Sequence, residues 1–234
     1  MPFGMFFDPT ILIIIPAMLL AGYAQMKIMA SYSKYSQIQN RIGMTGAQVA
    51  QELLNRQGIF DVSVEMVEGK LSDHFDPVRK VVRLSRDNFY SSSIAALSVS
   101  AHEVGHAVQH AKGYAPLNFR SALVPIVNFS SNISWILITI GLLMSFSGNT
   151  LILKFGIILF SIVILFQLVT LPVEFNASKR ANLMLEKYGF LQKDEIKGSK
   201  EVLGSAALTY VAAAATSALQ LVRLLIILNN REQD

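Results

Sequence analysis

The chain has 234 residues, of which 52% are hydrophobic and only 15% are charged, and its mean hydropathy is +0.44. This composition is too apolar for an ordinary soluble domain and predicts a membrane protein. The net charge of +4 would suit a nucleic-acid partner, but the cations are spread along the chain without a basic and aromatic stripe, so nucleic acid is excluded from the expected partners.

Four runs are long and apolar enough to cross the hydrocarbon core of a lipid bilayer. The first is not an ordinary signal peptide, because Asp8 rather than a cation precedes it and no small-residue cleavage pattern follows it. Ser147–Thr150 lies between the second and third runs and predicts a tight turn. We therefore predict four membrane-spanning helices, at residues 10–29, 126–146, 151–171 and 202–228.

The Lys and Arg residues predict how these spans are oriented, because cations are enriched in the cytoplasmic segments of membrane proteins. They gather after the first and third spans, whereas the hairpin turn has none and the C-terminal tail has only Arg231. We therefore expect a multi-pass protein of the cell membrane with both termini outside. The predicted organisation is a first transmembrane helix (1–29), a cytoplasmic domain (30–120), a transmembrane hairpin (121–172), a second cytoplasmic segment (173–201), and a fourth transmembrane helix with the tail (202–234).

The segment 30–120 is predicted to fold into a small α+β domain. Within it, Thr45–Gly58 is typical of a capped amphipathic helix that ends at a glycine. The alternating runs Val62–Val67 and Lys80–Ser85 predict two strands of a small antiparallel sheet. Ser92–Gly113 predicts a largely buried helix, with serines available as N-caps and a glycine at its end.

This last helix contains an H-E-x-x-H motif at residues 102–106. His102 and His106 lie one turn apart on the same helix face, which is the spacing of two imidazoles that bind one ion. Glu103 lies about 100° round the helix from His102, a position that suits a base better than a ligand. The three side chains could also be ordinary helix surface, but on a buried helix their polar atoms need partners, and a zinc ion would supply one.

A catalytic zinc site usually has three protein ligands and an open position, so one further ligand is needed. The chain has no cysteine, which leaves histidine and carboxylate side chains. His110 lies about 80° round the helix from His102 and is an awkward ligand, while His74 in the sheet region stays open. Glu174 is the strongest candidate, because its neighbours are apolar and a carboxylate without a cationic partner is costly at the end of a membrane span.

Two motifs in the chain resemble those of membrane-bound gluzincin proteases of the HtpX and CAAX-prenyl-protease type. They are H-E-x-x-H at residues 102–106 and, at residues 174–178, the counterpart of E-x-x-A-D. The chain as a whole more closely resembles the bacterial neutral zinc metallopeptidase family of multi-pass membrane proteins, the YugP-like group. The segments that carry this closer resemblance are Phe6–Pro9, Asp73–Pro77, His102–Pro116 and Leu171–Ser178.

The resemblance implies a zinc ion held by His102, His106 and Glu174, with Glu103 as the catalytic acid and base. It also implies a multi-pass α-helical membrane protein with a small α+β zincin-like cytoplasmic catalytic domain. One position departs from the pattern, since Ser178 stands where the HtpX type has aspartate. A serine can make one hydrogen bond to a histidine ligand but brings no charge, so the support of that histidine differs here.

The predicted function is a membrane-embedded zinc metalloendopeptidase that hydrolyses protein or peptide substrates, membrane proteins among them, at the cytoplasmic face. Glu103 would accept a proton from a zinc-activated water, and an edge strand such as Lys80–Ser85 would hold the substrate extended. The alternative is a zinc-binding membrane protein without peptidase activity, either a scaffold or a metal-handling factor. A transporter should carry acidic or histidine side chains within its spans, and the four predicted spans have none. A scaffold has no need of Glu103, so the presence of this residue favours the peptidase.

Overall fold

A computed structural model describes residues 9–233, so Phe6–Asp8 of the first resemblance segment lie outside the described residues. The described chain is mostly helical and begins with a short 3-10 helix, Pro9–Ile13. The elements that follow are α1 (Ile15–Ser36), α2 (Gly46–Arg56), β1 (Ser63–Val67), β2 (His74–Asp76), β3 (Val81–Ser85), α3 (Arg86–Tyr90), α4 (Ile94–Ala111), α5 (Ala115–Ser145), α6 (Leu151–Lys187) and α7 (Glu195–Gln233).

Within residues 9–233, the three helices α5, α6 and α7 are long and apolar enough to cross a membrane. They contain the third and fourth predicted spans and all but the last residue of the second. The helix α1 is not among them. The most apolar part of the first predicted span lies before α1, in the 3-10 helix, and α1 itself includes the polar residues Gln25 and Lys27. The first span therefore stays a prediction, while the short turn between α5 and α6 is confirmed.

The chain divides into two compact units, of which the first is here called the apolar unit and comprises residues 9–23, 119–170 and 210–233 of the described chain. Its core is formed by buried side chains of α5, α6 and α7, such as Ile138, Leu153 and Leu224. Helices α5 and α6 approach closely, since a Cβ built on Gly141 would collide with the backbone nitrogen of Leu153. Small residues permit such close packing between apolar helices. Arg223 of α7 donates from Nε to Oγ1 of Thr10 at 3.1 Å.

The second unit, here called the mixed unit, comprises residues 24–118 and 171–209 and contains the sheet. Helix α2 begins after Thr45, whose side chain accepts from the backbone N–H of Gln48, while the Gln48 side chain accepts from the backbone N–H of Thr45. This capping box satisfies two backbone donors that the first helical turn leaves open. Helix α4 begins after Ser93, which accepts from the backbone N–H of Ala96. Both predicted helices are confirmed.

The sheet differs from the prediction in its pairing. Its order is β1-β3-β2, with β1 parallel to β3 and β2 antiparallel to β3. The two predicted runs therefore lie side by side in parallel, and the prediction of an antiparallel pair was wrong. The three-residue strand β2 lies between β1 and β3 in sequence and pairs with the opposite side of β3. The connection from β1 to β3 therefore includes β2 and is long enough for the two strands to pair in parallel.

This order also changes which strands have a free edge. The strand β3 is the central one, and its side chains Val81, Val82, Leu84 and Ser85 are buried. Both sides of β3 are paired, so the segment Lys80–Ser85 cannot hold a substrate as an edge strand. The outer edges of the sheet belong to β1 and β2 instead.

The helix α4 lies in the middle of the main hydrophobic core of the mixed unit. Its side chains Leu97 and Val104 are fully buried, in a core shared with Leu53 of α2, Leu84 of β3 and Leu185 of α6. Most of the circumference of α4 is therefore covered, as the apolar run Ser92–Gly113 predicts. The polar side chains Ser98, Ser100, Glu103 and Gln109 of α4 are buried in this core, where a polar group needs a partner.

Candidate metal centre

Helix α4 brings the two histidines of the motif together. His102 and His106 are one turn apart, and their Nε2 atoms are 3.1 Å from each other. Their ring planes are perpendicular, with ring centroids 4.7 Å apart. Two imidazole nitrogens converge here on one point, which is the arrangement that the H-E-x-x-H spacing predicts.

Glu174 reaches the same point from α6. Its Oε2 atom lies 3.3 Å from Nε2 of His102 and 3.7 Å from Nε2 of His106. The candidate ligand atoms of the three side chains all lie within 4.8 Å of one another. Glu174 is 3% exposed, and α6 continues without interruption past it to Lys187. The structure thus brings together the three residues that the sequence proposes as metal ligands.

The surroundings of Glu174 fit a bound cation. Its Oε2 atom is buried and has no hydrogen-bond partner among the described residues, although a buried carboxylate oxygen normally needs one. The atoms that face it are nitrogens of two imidazoles, and two imidazoles with one carboxylate form a ligand set that zinc accepts in catalytic sites. A divalent cation between the three atoms would satisfy all of them at once.

Glu103 lies beside this group and is also buried, with 8% of its surface exposed. Burial raises the pKa of the Glu103 carboxyl above its ordinary value, and the neighbouring imidazoles of His102 and His106 only partly offset this. A buried carboxyl that gains and loses a proton next to a metal centre has the properties of a general base. Glu103 does not belong to the group of candidate ligands among the described residues.

Each histidine of the group has a neutral partner on its other ring nitrogen. Ser178 Oγ lies 3.2 Å from Nδ1 of His102, and Oε1 of Gln109 lies 3.0 Å from Nδ1 of His106. Ser178 is therefore placed where the resemblance expects a supporting residue, with serine in place of aspartate. Gln109 was not predicted, although its position three residues after His106 on a buried helix face is a signal for such a contact.

The other two histidines lie elsewhere in the mixed unit. The ring of His110 packs against Phe75 of β2, with centroids 5.8 Å apart. His74 is exposed in β2, and its Nδ1 is 2.7 Å from the backbone oxygen of Ser72. Neither histidine belongs to the metal group found among residues 9–233, so the open alternative of His74 as third ligand has no support from the geometry.

Gly105 is the point at which α4 closely approaches α6. A Cβ built on Gly105 would lie 2.8 Å from the backbone oxygen of Ala177, which cannot move without shifting α6. We expect Gly105→Ala to separate the helices that carry the candidate ligands and to destabilise the protein by about 1–3 kcal/mol, despite the higher helix propensity of alanine. Thermal unfolding and zinc titration measure both effects.

The matched control for this variant is Gly204→Ala in α7, where nothing lies within 4 Å of an added Cβ. Its stability and zinc binding are expected to equal or exceed those of the wild type. A Gly105→Ala protein that behaves like this control would show that the close approach of the two helices is not required.

The family profile described as "Putative neutral zinc metallopeptidase" matches residues 10–229, which is nearly the whole chain. This chain belongs to that family. It is 45% identical over 225 residues to the protein named "Putative membrane protease YugP" of Bacillus subtilis (strain 168), and the alignment covers 96% of this chain and 99% of the relative. No solved structure matches the chain.

Membership of the neutral zinc metallopeptidase family confirms the resemblance drawn from the motifs. The family name implies zinc, and His102, His106 and Glu174 form a group that could hold the ion. The name of the relative and the apolar helices α5, α6 and α7 together indicate that this member of the family is associated with a membrane.

Proposed function

We propose that this chain is a membrane zinc metallopeptidase that hydrolyses peptide bonds of protein or peptide substrates. In this proposal His102, His106 and Glu174 hold the zinc ion and Glu103 is the catalytic acid and base. The observation that carries it is the convergence of two Nε2 atoms and one carboxylate oxygen within 4.8 Å, next to a buried glutamate that is not a member of the group.

The chemistry divides between the ion and the side chains. Bound zinc would supply a Lewis acid for the scissile carbonyl and lower the pKa of a water molecule to about 7. Glu103 would accept a proton from the attacking water and return it to the leaving amine. His102 and His106 would be kept in place by Ser178 and Gln109, since a hydrogen bond on the second ring nitrogen orients a histidine ligand.

The same proposal assigns the site to the cytoplasmic face of the membrane. The two segments that are rich in Lys and Arg, 30–120 and 173–201, contribute almost all of the mixed unit. Segments that fold into one unit must lie on one side of a membrane, and cation enrichment favours the cytoplasmic side. Cysteine accessibility labelling at Glu68→Cys, in an exposed loop, would test this assignment, and labelling from outside intact cells would contradict it.

The proposed activity is tested with the full chain purified in detergent micelles. We expect it to contain zinc, to cleave an unfolded protein such as casein, to lose cleavage when a chelator removes the metal, and to regain it when zinc is added back. Metal analysis and gel or mass-spectrometric detection of fragments measure both properties. Zinc binding without cleavage of any peptide in a diverse library would instead favour the metal-handling or scaffold alternative.

A further inference from the structure

The side chain of Gln109, a residue of α4, packs against α6 next to the candidate metal group. It is 0% exposed. Its Oε1 atom is 3.0 Å from Nδ1 of His106. Its Nε2 atom is 2.8 Å from the backbone oxygen of Val173 and 3.0 Å from Oδ1 of Asn176. Gln109 thus connects His106, a candidate ligand on α4, with the turn of α6 that carries Glu174.

The partners of Gln109 on α6 determine which way its amide faces. A backbone carbonyl oxygen only accepts hydrogen bonds, so the atom of Gln109 next to Val173 must be its NH₂ group. The second partner leads to the same answer, because Arg180 donates from Nε to Oδ1 of Asn176 at 2.7 Å and an arginine only donates. Oδ1 is therefore the atom of Asn176 that faces Gln109, and Oε1 of Gln109 must face His106.

This orientation decides the tautomer of His106. The amide oxygen of Gln109 only accepts, so Nδ1 of His106 must carry a hydrogen atom and donate it. In a neutral imidazole the other nitrogen then holds the lone pair. That nitrogen is Nε2, the atom that lies 3.7 Å from Oε2 of Glu174.

We propose that Gln109 is a positioning residue that holds His106 in the Nδ1–H tautomer and presents the lone pair of Nε2 to the metal. The inference rests on the proposed function, because it gives Gln109 a part in zinc binding. Ser178 cannot do the same for His102, since a hydroxyl group can donate or accept and fits either tautomer. The two histidines therefore differ, and only His106 has its tautomer set by the protein before zinc binds.

The first test uses the wild-type chain without metal, so it needs no variant that folds. Long-range proton–nitrogen correlation spectra of ¹⁵N-histidine protein, at a pH at which the imidazoles are neutral, report which ring nitrogen carries the proton. We expect the proton of His106 on Nδ1. A proton on Nε2 would overturn the proposal.

The second test compares variants at the contact. Gln109→Met keeps the length of the side chain but removes its hydrogen bonds, so zinc affinity should fall by about 10- to 100-fold and the Nδ1–H tautomer should lose population. Asn176→Ala leaves the Val173 carbonyl in place and should cause a smaller loss. Ser98→Ala, at a buried serine whose hydroxyl donates to the backbone oxygen of Ile94 within α4, controls for general disturbance of the helix.

The outcomes separate this inference from the proposed function. Wild-type zinc affinity and an unchanged His106 tautomer in folded Gln109→Met would overturn the role of Gln109, while the zinc site itself would stand. A wild-type chain that binds no zinc would overturn the proposed function, whereas the tautomer measured without metal would still report on Gln109.

Discussion

Replacing Glu103 by glutamine is expected to leave zinc bound and to reduce peptide hydrolysis by about 10²- to 10⁴-fold, the range typical of a lost general base. Glutamine has nearly the shape of glutamate, so the packing of the buried site should persist, but its amide cannot accept a proton from water. Metal analysis and initial rates of casein cleavage measure the two effects on the same preparation.

The control for this variant is Glu52→Gln on α2, at a half-buried glutamate that pairs with Arg56 at 2.7 Å. It changes the net charge by the same amount at a residue outside the candidate metal group, so zinc content and rate should match the wild type. Undiminished proteolysis by Glu103→Gln would remove Glu103 from the proposed mechanism, and loss of zinc would move it into the binding group.

The same variant has a second readout in the metal-free protein. Burial raises the pKa of the Glu103 carboxyl in the folded chain. As pH rises above about 4.3, this carboxyl therefore ionises in the unfolded chain before it ionises in the folded chain. The wild type should therefore lose stability relative to Glu103→Gln as pH increases from that value through the folded pKa, and the two should be alike below it. Thermal unfolding in chelator across this pH range measures the difference, and a pH-independent difference would contradict the buried position.

Glu174→Gln is expected to abolish stoichiometric zinc binding, and with it the metal-dependent cleavage. The change keeps the volume of the side chain but replaces the charged oxygen that lies 3.3 Å and 3.7 Å from the two imidazoles. A supporting residue is expected to contribute about 10- to 100-fold to zinc affinity, and loss of a direct ligand should lower the affinity by more than that. Zinc titration against a competing chelator measures the affinity.

A second buried carboxylate provides the matched control. Glu195 is 7% exposed and accepts from the backbone N–H groups of Arg41 and Gln192 at 2.9 Å and 2.7 Å. Glu195→Gln should lower the unfolding temperature and keep the zinc, since its carboxylate serves the backbone. If Glu174→Gln keeps zinc with wild-type stoichiometry and affinity, the third ligand has been assigned wrongly.

Local signals account for the parts of the fold that were predicted well. Helices α2 and α4 have an N-cap at Thr45 and Ser93 and end near Gly58 and Gly113, whose positive φ angles favour glycine. Caps and glycine stops act within one helical turn, so the sequence alone contains them. Glu174 could be proposed for a similar reason, because a lone carboxylate among apolar residues is unusual without a partner.

The features that were missed depend on distant parts of the chain. Alternation predicts that β1 and β3 are strands, but their parallel pairing depends on β2, whose three residues give little signal. Gln109 was overlooked because glutamine carries no charge that would make its burial conspicuous. Its role depends on the Val173 carbonyl and Asn176, which are near it only after α6 has packed against α4.

The neutral partners of the two histidines have a consequence for the charge balance of the site. With zinc bound as proposed, the two positive charges of the ion would be balanced by the carboxylates of Glu174 and Glu103. Ser178 and Gln109 add no charge. The buried centre is then formally uncharged, which keeps the cost of removing it from water low. An aspartate at position 178 would leave one negative charge in excess, so under this proposal the serine would keep the centre neutral.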